Sequence, residues 1–396
     1  VLRIFSENGG AWSLAAFLGV AACANTGAPT SEPSRSPPSA APATSAPAPG
    51  AGPARSNAIA SASANPAAPV APREPTKIEI HETAMGTSVT FVAYTSARAN
   101  EAAARAAVAR AVAEIARLEA LMSEWRDDSE IGTLNAHPGE WVKLSPETLD
   151  VIQKGLWAGK RSGGVFDITF QAMSGLWKFG GAGEQEPQVP SRAAVNAKRR
   201  LVDYRKVEVS EAERSVRISK GQQVGLGGIA KGYIVDRAAR VLRDAGLDSF
   251  LVQAGGDLYG AGRKPDGSRW VSGIQDPRGQ KGQYFATVEL EDHAFSTAGD
   301  YARSYVAGGK RYHHIIDPRT GYPATACRSV TVWAPDAFVA DAVDDIVFIL
   351  GPEQGLPLVE SLEGVGVVVV DQKNRVSVSP RLAGKVHLLG EPTDGL

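Results

Sequence analysis

The sequence predicts an α+β fold of helices mixed with antiparallel sheets, on three observations. Several short segments alternate apolar and polar residues with the period of two that a half-buried strand needs. Others repeat apolar residues at steps of three and four, as an amphipathic helix does. The two kinds follow no regular strand–helix–strand order and no internal repeat, which argues against a doubly wound parallel sheet or a solenoid.

Taken in order, folding signals begin near Thr76. Ile78 and Ile80 alternate with polar neighbours, and so do Val89, Phe91 and Ala93 beyond Gly86, predicting a strand pair that faces a core. Residues 101–122 are predicted helical: Val108, Val112, Ile115, Leu118 and Met122 make one apolar stripe, assigned to packing. Residues 145–161 read as a second helix, with Ser145 as N-cap and Glu147 in its first turn. Residues 206–219 read as a hairpin, Val207 and Val209 returning as Val216 and Ile218. A helix is expected after Gly232, carried by Tyr233, Ile234, Ala238, Val241 and Leu242 and stopping near Gly246. Strands are expected at 250–252, 284–290, 330–334, 366–370 and 375–379, and a helix at 339–351.

Composition narrows the classes of function. The 396 residues are enough for one large domain or two ordinary ones, and 43% hydrophobic with 21% charged residues is the balance of a folded protein. Lys and Arg number 42 against 43 acids, a formal net charge of -1 without a basic stripe, so there is no electrostatic case for nucleic acid. The two cysteines, Cys23 and Cys327, lie in no CxxC pair and near no histidine cluster, which excludes zinc, iron–sulfur and thioredoxin-like chemistry.

Residues 1–22 read as a signal peptide, with an early Arg3, an apolar stretch from Trp12 to Ala22 too short to span a bilayer, and small residues before Cys23. Val20-Ala21-Ala22-Cys23 resembles a bacterial lipobox, so Cys23 is the expected lipidation site. Residues 23–75 are then a lipidated cysteine and a tether of Ala, Pro and Ser that cannot offset the entropy of ordering. The folded domain is expected over 76–396, exported and held on the periplasmic side of a bacterial membrane.

Five segments carry candidate chemistry. In VADAVDDIVFILG, residues 339–351, Asp341 and Asp345 share one helix face and Asp344 adds a third acid. Like charges at that spacing repel, so the set is explained either by a bound Mg²⁺ or Ca²⁺ or by a solvated acidic face. In VGLGGIAKGYIVD, residues 224–236, the glycines let a backbone approach a ligand and Lys231 stands where a phosphate would meet it, although the spacing is neither a P-loop nor a dinucleotide fingerprint. A tight structural turn explains it equally well. In HHIIDPRTGYPA, residues 313–324, turn formers follow His313-His314, which offers a base titrating near neutrality. Gly255-Gly256-Asp257 and residues 296–301 read as further glycine-and-polar turns at the edge of a ligand cleft.

Together and in this order, these motifs resemble the ApbE family of FAD:protein FMN transferases. The resemblance includes Met85-Gly86-Thr87, the run 123–135 with Ser129-Glu130 and Leu134-Asn135, and Phe166-Asp167-Ile168-Thr169 within 164–177. It continues through the five segments above and covers nearly all of the chain from Thr76 onward. It implies a T-fold-like α+β domain, FAD as substrate and Mg²⁺ as cofactor. It places the metal on Asp341, Asp345 and the backbone carbonyl of Gly228, and FAD near Met85, Trp125, Val165, Phe166, Asp167, Gly225, Lys231, Asp257, Thr297 and Ile315. His314 becomes the base that activates an acceptor hydroxyl.

The implied reaction transfers FMN to a Ser or Thr of a partner, a flavoprotein subunit of a membrane redox complex, with release of AMP. Three positions depart from the family: Asp345 stands where Thr is usual, Gly225 where an acid usually precedes Leu-Gly-Gly, and Ala298 where Ser is common. Two other readings share the same motifs, a Mg²⁺-dependent FAD pyrophosphatase and a lipoprotein that only binds flavin.

Overall fold

The computed structural model describes residues 74–179 and 189–395. The expected signal peptide, Cys23 and the tether up to residue 73 lie outside the described residues.

The α+β expectation holds. Eight strands form one sheet in the order Lys77–Ala84, Thr87–Tyr94, Phe250–Ala254, Asp257–Ala261, His293–Gly299, Cys327–Ala334, Gly366–Asp371 and Val376–Val378. Every neighbouring pair runs antiparallel. The first two strands turn through Met85-Gly86, both at positive φ. The Met85 N–H donates to Glu119 Oε2 at 2.9 Å, which ties the strained turn to the neighbouring helix.

Period-two alternation divides the sheet between two cores. Val89, Phe91 and Ala93 face the larger core while Val92 faces the smaller; likewise Ala294 and Ala298 face the first and Phe295 the second. The larger core is covered by helices Glu101–Met122, Ala230–Asp244 and Ala337–Glu360. The smaller is closed by a three-stranded sheet of Trp270–Gln275, Tyr284–Leu290 and Val386–Leu388. Cys327–Ala334 is buried at every position because both of its faces are covered. Cys327 is a buried free thiol.

Helix Glu101–Met122 has the predicted ends, with Asn100 accepting from Ala103 N at its start. Helix Pro146–Arg161 is capped by Ser145 as expected. The predicted hairpin is Glu208–Ser210 with Ser215–Arg217, extended by Val142–Lys143. Three expectations need correction. Residues 296–299 are not a turn but the end of strand His293–Gly299, where small residues let the sheet and helix Ala337–Glu360 pack closely. The loop at 313–324 is partly strand, since Ile316–Asp317 pairs with Tyr322–Pro323 around its turn. Helix 339–351 is longer, Ala337–Glu360, bending at Gly351, whose φ of 75 places it in the left-handed region ahead of Pro352.

Two contacts set how helix Ala337–Glu360 meets helix Ala230–Asp244. Its own N-cap residue, Asp336, makes no capping bond. Asp236 of the adjacent helix accepts from Ala337 N at 2.8 Å and Phe338 N at 3.0 Å instead. Burial pushes the Asp236 carboxyl up to about 7. Gly232 fills the crossing point, where a Cβ would lie 2.3 Å from the Ala337 carbonyl oxygen and 2.8 Å from Asp341 Cβ. Gly232→Ala is therefore expected to cost about 1–3 kcal/mol by overpacking against backbone. The check is thermal unfolding, where a midpoint within a degree of the parent would show that the crossing yields.

Candidate active site

Strand alternation and helix periodicity converge on one polar spot in the larger core. Ser296 points from its strand toward helix Ala337–Glu360, its hydroxyl 2.6 Å from both Asp257 Oδ1 and Asp344 Oδ2. Asp257 Oδ2 accepts from Lys231 Nζ at 2.6 Å, and Asp341 Oδ1 accepts from the same ammonium at 3.1 Å. Asp341 Oδ2 takes the Gly232 N–H at 2.9 Å. Four carboxylates, Asp257, Asp341, Asp344 and Asp345, thus gather around one lysine.

The charge imbalance sets the electrostatics. Burial, then the Asp257 charge, pushes the Asp341 carboxyl up to about 6. Burial, then the Asp341 charge, takes Asp345 up to about 7, and burial with Asp345 beside it raises Asp344. Burial works against the Lys231 charge, but Asp257 and Asp341 outweigh it and hold the ammonium well above its usual range. The Lys231 side chain keeps 37% of its surface open although protein surrounds it closely, so it lies on the floor of a concave cleft.

The glycine loop forms one wall of that cleft. The Gly232 N–H bonds Asp341 and not the Gly228 carbonyl four residues back, so that carbonyl is not consumed by its regular helical partner. Asp345 Oδ2 stands 3.0 Å from where a Cβ on Gly228 would be, with the Phe166 ring 3.2 Å from that point. Among the described residues no hydrogen-bond donor or cation pairs with the Asp345 carboxylate.

An unpaired, largely enclosed carboxylate beside a backbone carbonyl and Asp341 is a donor set that fits a hard divalent cation. Among the described residues no three carboxylate, imidazole or thiol groups converge tightly enough to cage a metal alone. A cation here would complete its shell with phosphate oxygens and water, as Mg²⁺ does.

The two adjacent histidines separate by role. His313 is buried, its Nε2 2.9 Å from the Ala324 carbonyl and its ring edge-on to Phe348. His314 is exposed, anchored by its backbone N–H to the Arg303 carbonyl at 3.2 Å, and lies near enough to Lys231 to feel its charge. The surrounding protein mass, then the Arg303 charge, lowers its imidazole to about 4. A neutral imidazole near pH 7, facing a cleft, can accept a proton.

The remaining sequence candidates spread around this centre. Val165 and Phe166 are buried where their segment meets the glycine loop, and Gly225 N donates to the Ile168 carbonyl at 2.8 Å. Asp167 caps the short helix Ile168–Met173 through Thr169 N at 2.8 Å and accepts from Tyr204 N at 2.8 Å. Trp125 is 79% exposed. Ile315 is buried, bonded through its carbonyl to Ala324 N. Thr297, next to Ser296, turns to the opposite sheet face and meets Thr331 Oγ1 at 2.9 Å, away from the acids.

The sequence placed Ser296 and Asp344 inside candidate segments without a role of their own and did not single out Glu124. Ser296 was legible as the one polar residue between Ala294 and Ala298 on a core-facing register. Asp344 was noted only as a third acid. Glu124 gave no signal: its carboxylate occupies the space over Gly225, with Oε2 2.4 Å from where a Cβ there would lie.

Residues 85–369 of the chain match the model of the ApbE family, and the chain belongs to that family. It is 32% identical over 287 residues to the FAD:protein FMN transferase of Treponema pallidum, covering 68% of this chain and 78% of that one. It is 31% identical over 301 residues to the FAD:protein FMN transferase of Klebsiella pneumoniae, covering 74% and 85%. Among solved structures, the ApbE protein of Thermotoga maritima superposes with a TM-score of 0.71 at 31% identity, over 78% of this chain and 99% of that one. The flavinyl transferase ApbE of Pseudomonas stutzeri does so at 0.70 and 27%, over 80% and 98%.

Proposed function

We propose that this chain transfers FMN from FAD to a Ser or Thr hydroxyl of an acceptor flavoprotein, with Mg²⁺ as cofactor and AMP as the second product. The observation that carries the reading is the Lys231–Asp257–Asp341–Asp345 constellation beside the glycine loop, in a chain whose relatives bear that activity.

Asp341, Asp345 and the Gly228 carbonyl would hold Mg²⁺, which when bound neutralises charge on the FAD pyrophosphate. Lys231 adds a fixed positive charge at the cleft floor. His314 takes the proton of the acceptor hydroxyl as its oxygen attacks the FMN phosphorus; the phosphorus–oxygen bond to AMP breaks, and AMP departs with that oxygen. The product is a phosphoester between FMN and the acceptor. Asp345 in place of the family's Thr adds one more hard anionic donor to the set. We also place the enzyme outside the cytoplasm, tethered by lipid on Cys23, near membrane redox subunits that need covalent flavin.

The test is to incubate the folded chain with FAD, Mg²⁺ and a flavoprotein acceptor domain and to assay AMP and protein-bound flavin. AMP with acceptor-bound flavin is expected. AMP with free FMN alone would favour a pyrophosphatase, and bound FAD with neither product would leave a flavin-binding protein.

A further inference from the structure

Glu124 is a charged group beside the glycine loop that the reaction above does not use. It lies in the connection between helices Glu101–Met122 and Glu130–Ala136, and that connection is held firmly. The Ser129 hydroxyl is 2.6 Å from the Ser123 carbonyl and 2.9 Å from the Arg126 carbonyl, and Gly132 packs where a Cβ would meet Arg126 O at 2.1 Å. The backbone on either side of Glu124 is therefore held by the loop.

Its carboxylate bends over the glycine loop. Oε2 lies 2.4 Å from a Cβ built on Gly225 and Oε1 3.9 Å from one built on Gly227, so Gly225 is the residue that leaves room for it. It accepts one backbone hydrogen bond at Leu226 and feels the Arg303 charge, yet among the described residues no Lys or Arg closes an ion pair with it. Burial raises its carboxyl above the usual range. A half-buried carboxylate with spare acceptor capacity, beside an open cleft, is a costly arrangement unless a ligand supplies donors.

The charge says which part of the ligand that is. The Lys231 end of the cleft suits the pyrophosphate, and a carboxylate would repel phosphate. FAD carries neutral donors in its hydroxyls, the flavin N3–H and the adenine amine, and of these the ribityl and ribose hydroxyls are the ones that flank the pyrophosphate. Trp125, next in sequence, is 79% exposed and leaves its apolar ring open to a ligand.

We propose that Glu124 is a substrate-binding residue that accepts hydrogen bonds from sugar-type hydroxyls of FAD, from the loop position over Gly225. This rests on the reading of the chain as an FAD-using transferase. The hydroxyls belong either to the ribityl chain of the flavin half or to the ribose of the adenosine half.

The experiment measures dissociation constants of FAD, FMN and AMP for the wild-type chain, Glu124→Ala and the swapped double variant Glu124→Ala/Gly225→Asp. Gly225 is not at positive φ, and with Glu124 removed the nearest atoms given for a Cβ there are Gln171 Cβ at 3.0 Å and Oε1 at 3.2 Å, so Asp fits once Gln171 yields by a few tenths of an ångström. Glu124→Ala is expected to weaken FAD about tenfold or more, the loss of a hydrogen bond to a charged group, with kcat much less affected. The swap is expected to recover most of the loss, because it returns a carboxylate to the same space. A loss shared by FMN alone assigns the ribityl hydroxyls, and one shared by AMP alone the ribose. FAD affinity unchanged in Glu124→Ala overturns the inference, as does a loss that the swap leaves in place while the thermal midpoint is unchanged. Wild-type chain that binds no FAD overturns the functional reading itself, and so fails differently.

Discussion

Asp341→Asn is expected to lower FMN transfer at least about 10²-fold while the thermal midpoint stays level or rises. The side chain does two jobs that Asn separates. Its Oδ2 accepts the Gly232 N–H at 2.9 Å at the helix crossing, and an amide oxygen can keep that bond. Its charge, by contrast, is one of four packed around a single lysine, and Lys231 retains Asp257 at 2.6 Å when Asp341 is neutralised. Removing one of several like charges relieves repulsion; removing a metal-binding carboxylate weakens Mg²⁺ binding.

The pH dependence carries the same sign. In the metal-free chain Asp341 and Asp345 sit at about 6 and about 7, above the carboxylate value of an unfolded chain. The native state therefore binds more protons than the unfolded state across that window. Their stabilising contribution is complete below about pH 4 and is lost as pH rises through 6 and 7. Saturating Mg²⁺ should flatten that fall by binding the ionised forms, and Asp341→Asn should reduce both the fall and its rescue. Unfolding midpoints from pH 5 to 8, with and without Mg²⁺, read this out. A midpoint in Asp341→Asn far below wild type with transfer intact would make Asp341 a structural acid and remove it from the metal set.

How much of this was legible in the sequence follows from what each signal depends on. Helix Glu101–Met122 and its stripe were readable because burial there follows one local periodicity. The capping of Pro146–Arg161 was readable because Ser145 acts on its own first turn. The acids at 341, 344 and 345 stood out because apolar helix residues flank them. What local pattern could not supply was pairing across the chain. Residues 296–299 looked like a turn from glycine and polar content, and only the antiparallel register with Val330 and Val332 makes Ser296 a core-facing partner of Asp344. Asp236 capping a helix that starts 101 residues later, and Glu124 entering the space above Gly225, are likewise facts of tertiary packing. The Gly225 departure looked like a lost acid when read along the chain, and in the folded protein a carboxylate from another loop fills the gap.

His314→Ala is expected to lower kcat by about 10²-fold or more while FAD still binds, since general-base catalysis is worth that order and the cleft floor is untouched. The structure separates this residue from its neighbour. His313 is sealed behind Ala324 and Phe348, so His313→Ala should act on stability, whereas His314 faces the open cleft. With its imidazole at about 4 in the free enzyme, His314 is neutral and ready to accept a proton throughout the neutral range. Protonation switches it off, so at saturating Mg²⁺ the acid limb of kcat/KM, which reports the free enzyme, should fall near pH 4 and not near 6.5. Bound FAD brings negative pyrophosphate toward the ring and favours the imidazolium, so the acid limb of kcat should lie higher than that of kcat/KM. Paired pH profiles of wild type and His314→Ala decide the matter. Both limbs vanishing in the variant together with the loss of kcat fixes His314 as the base. An acid limb that persists there unchanged assigns the proton acceptance to another group, and the carboxylates around Lys231 are then the ones to examine.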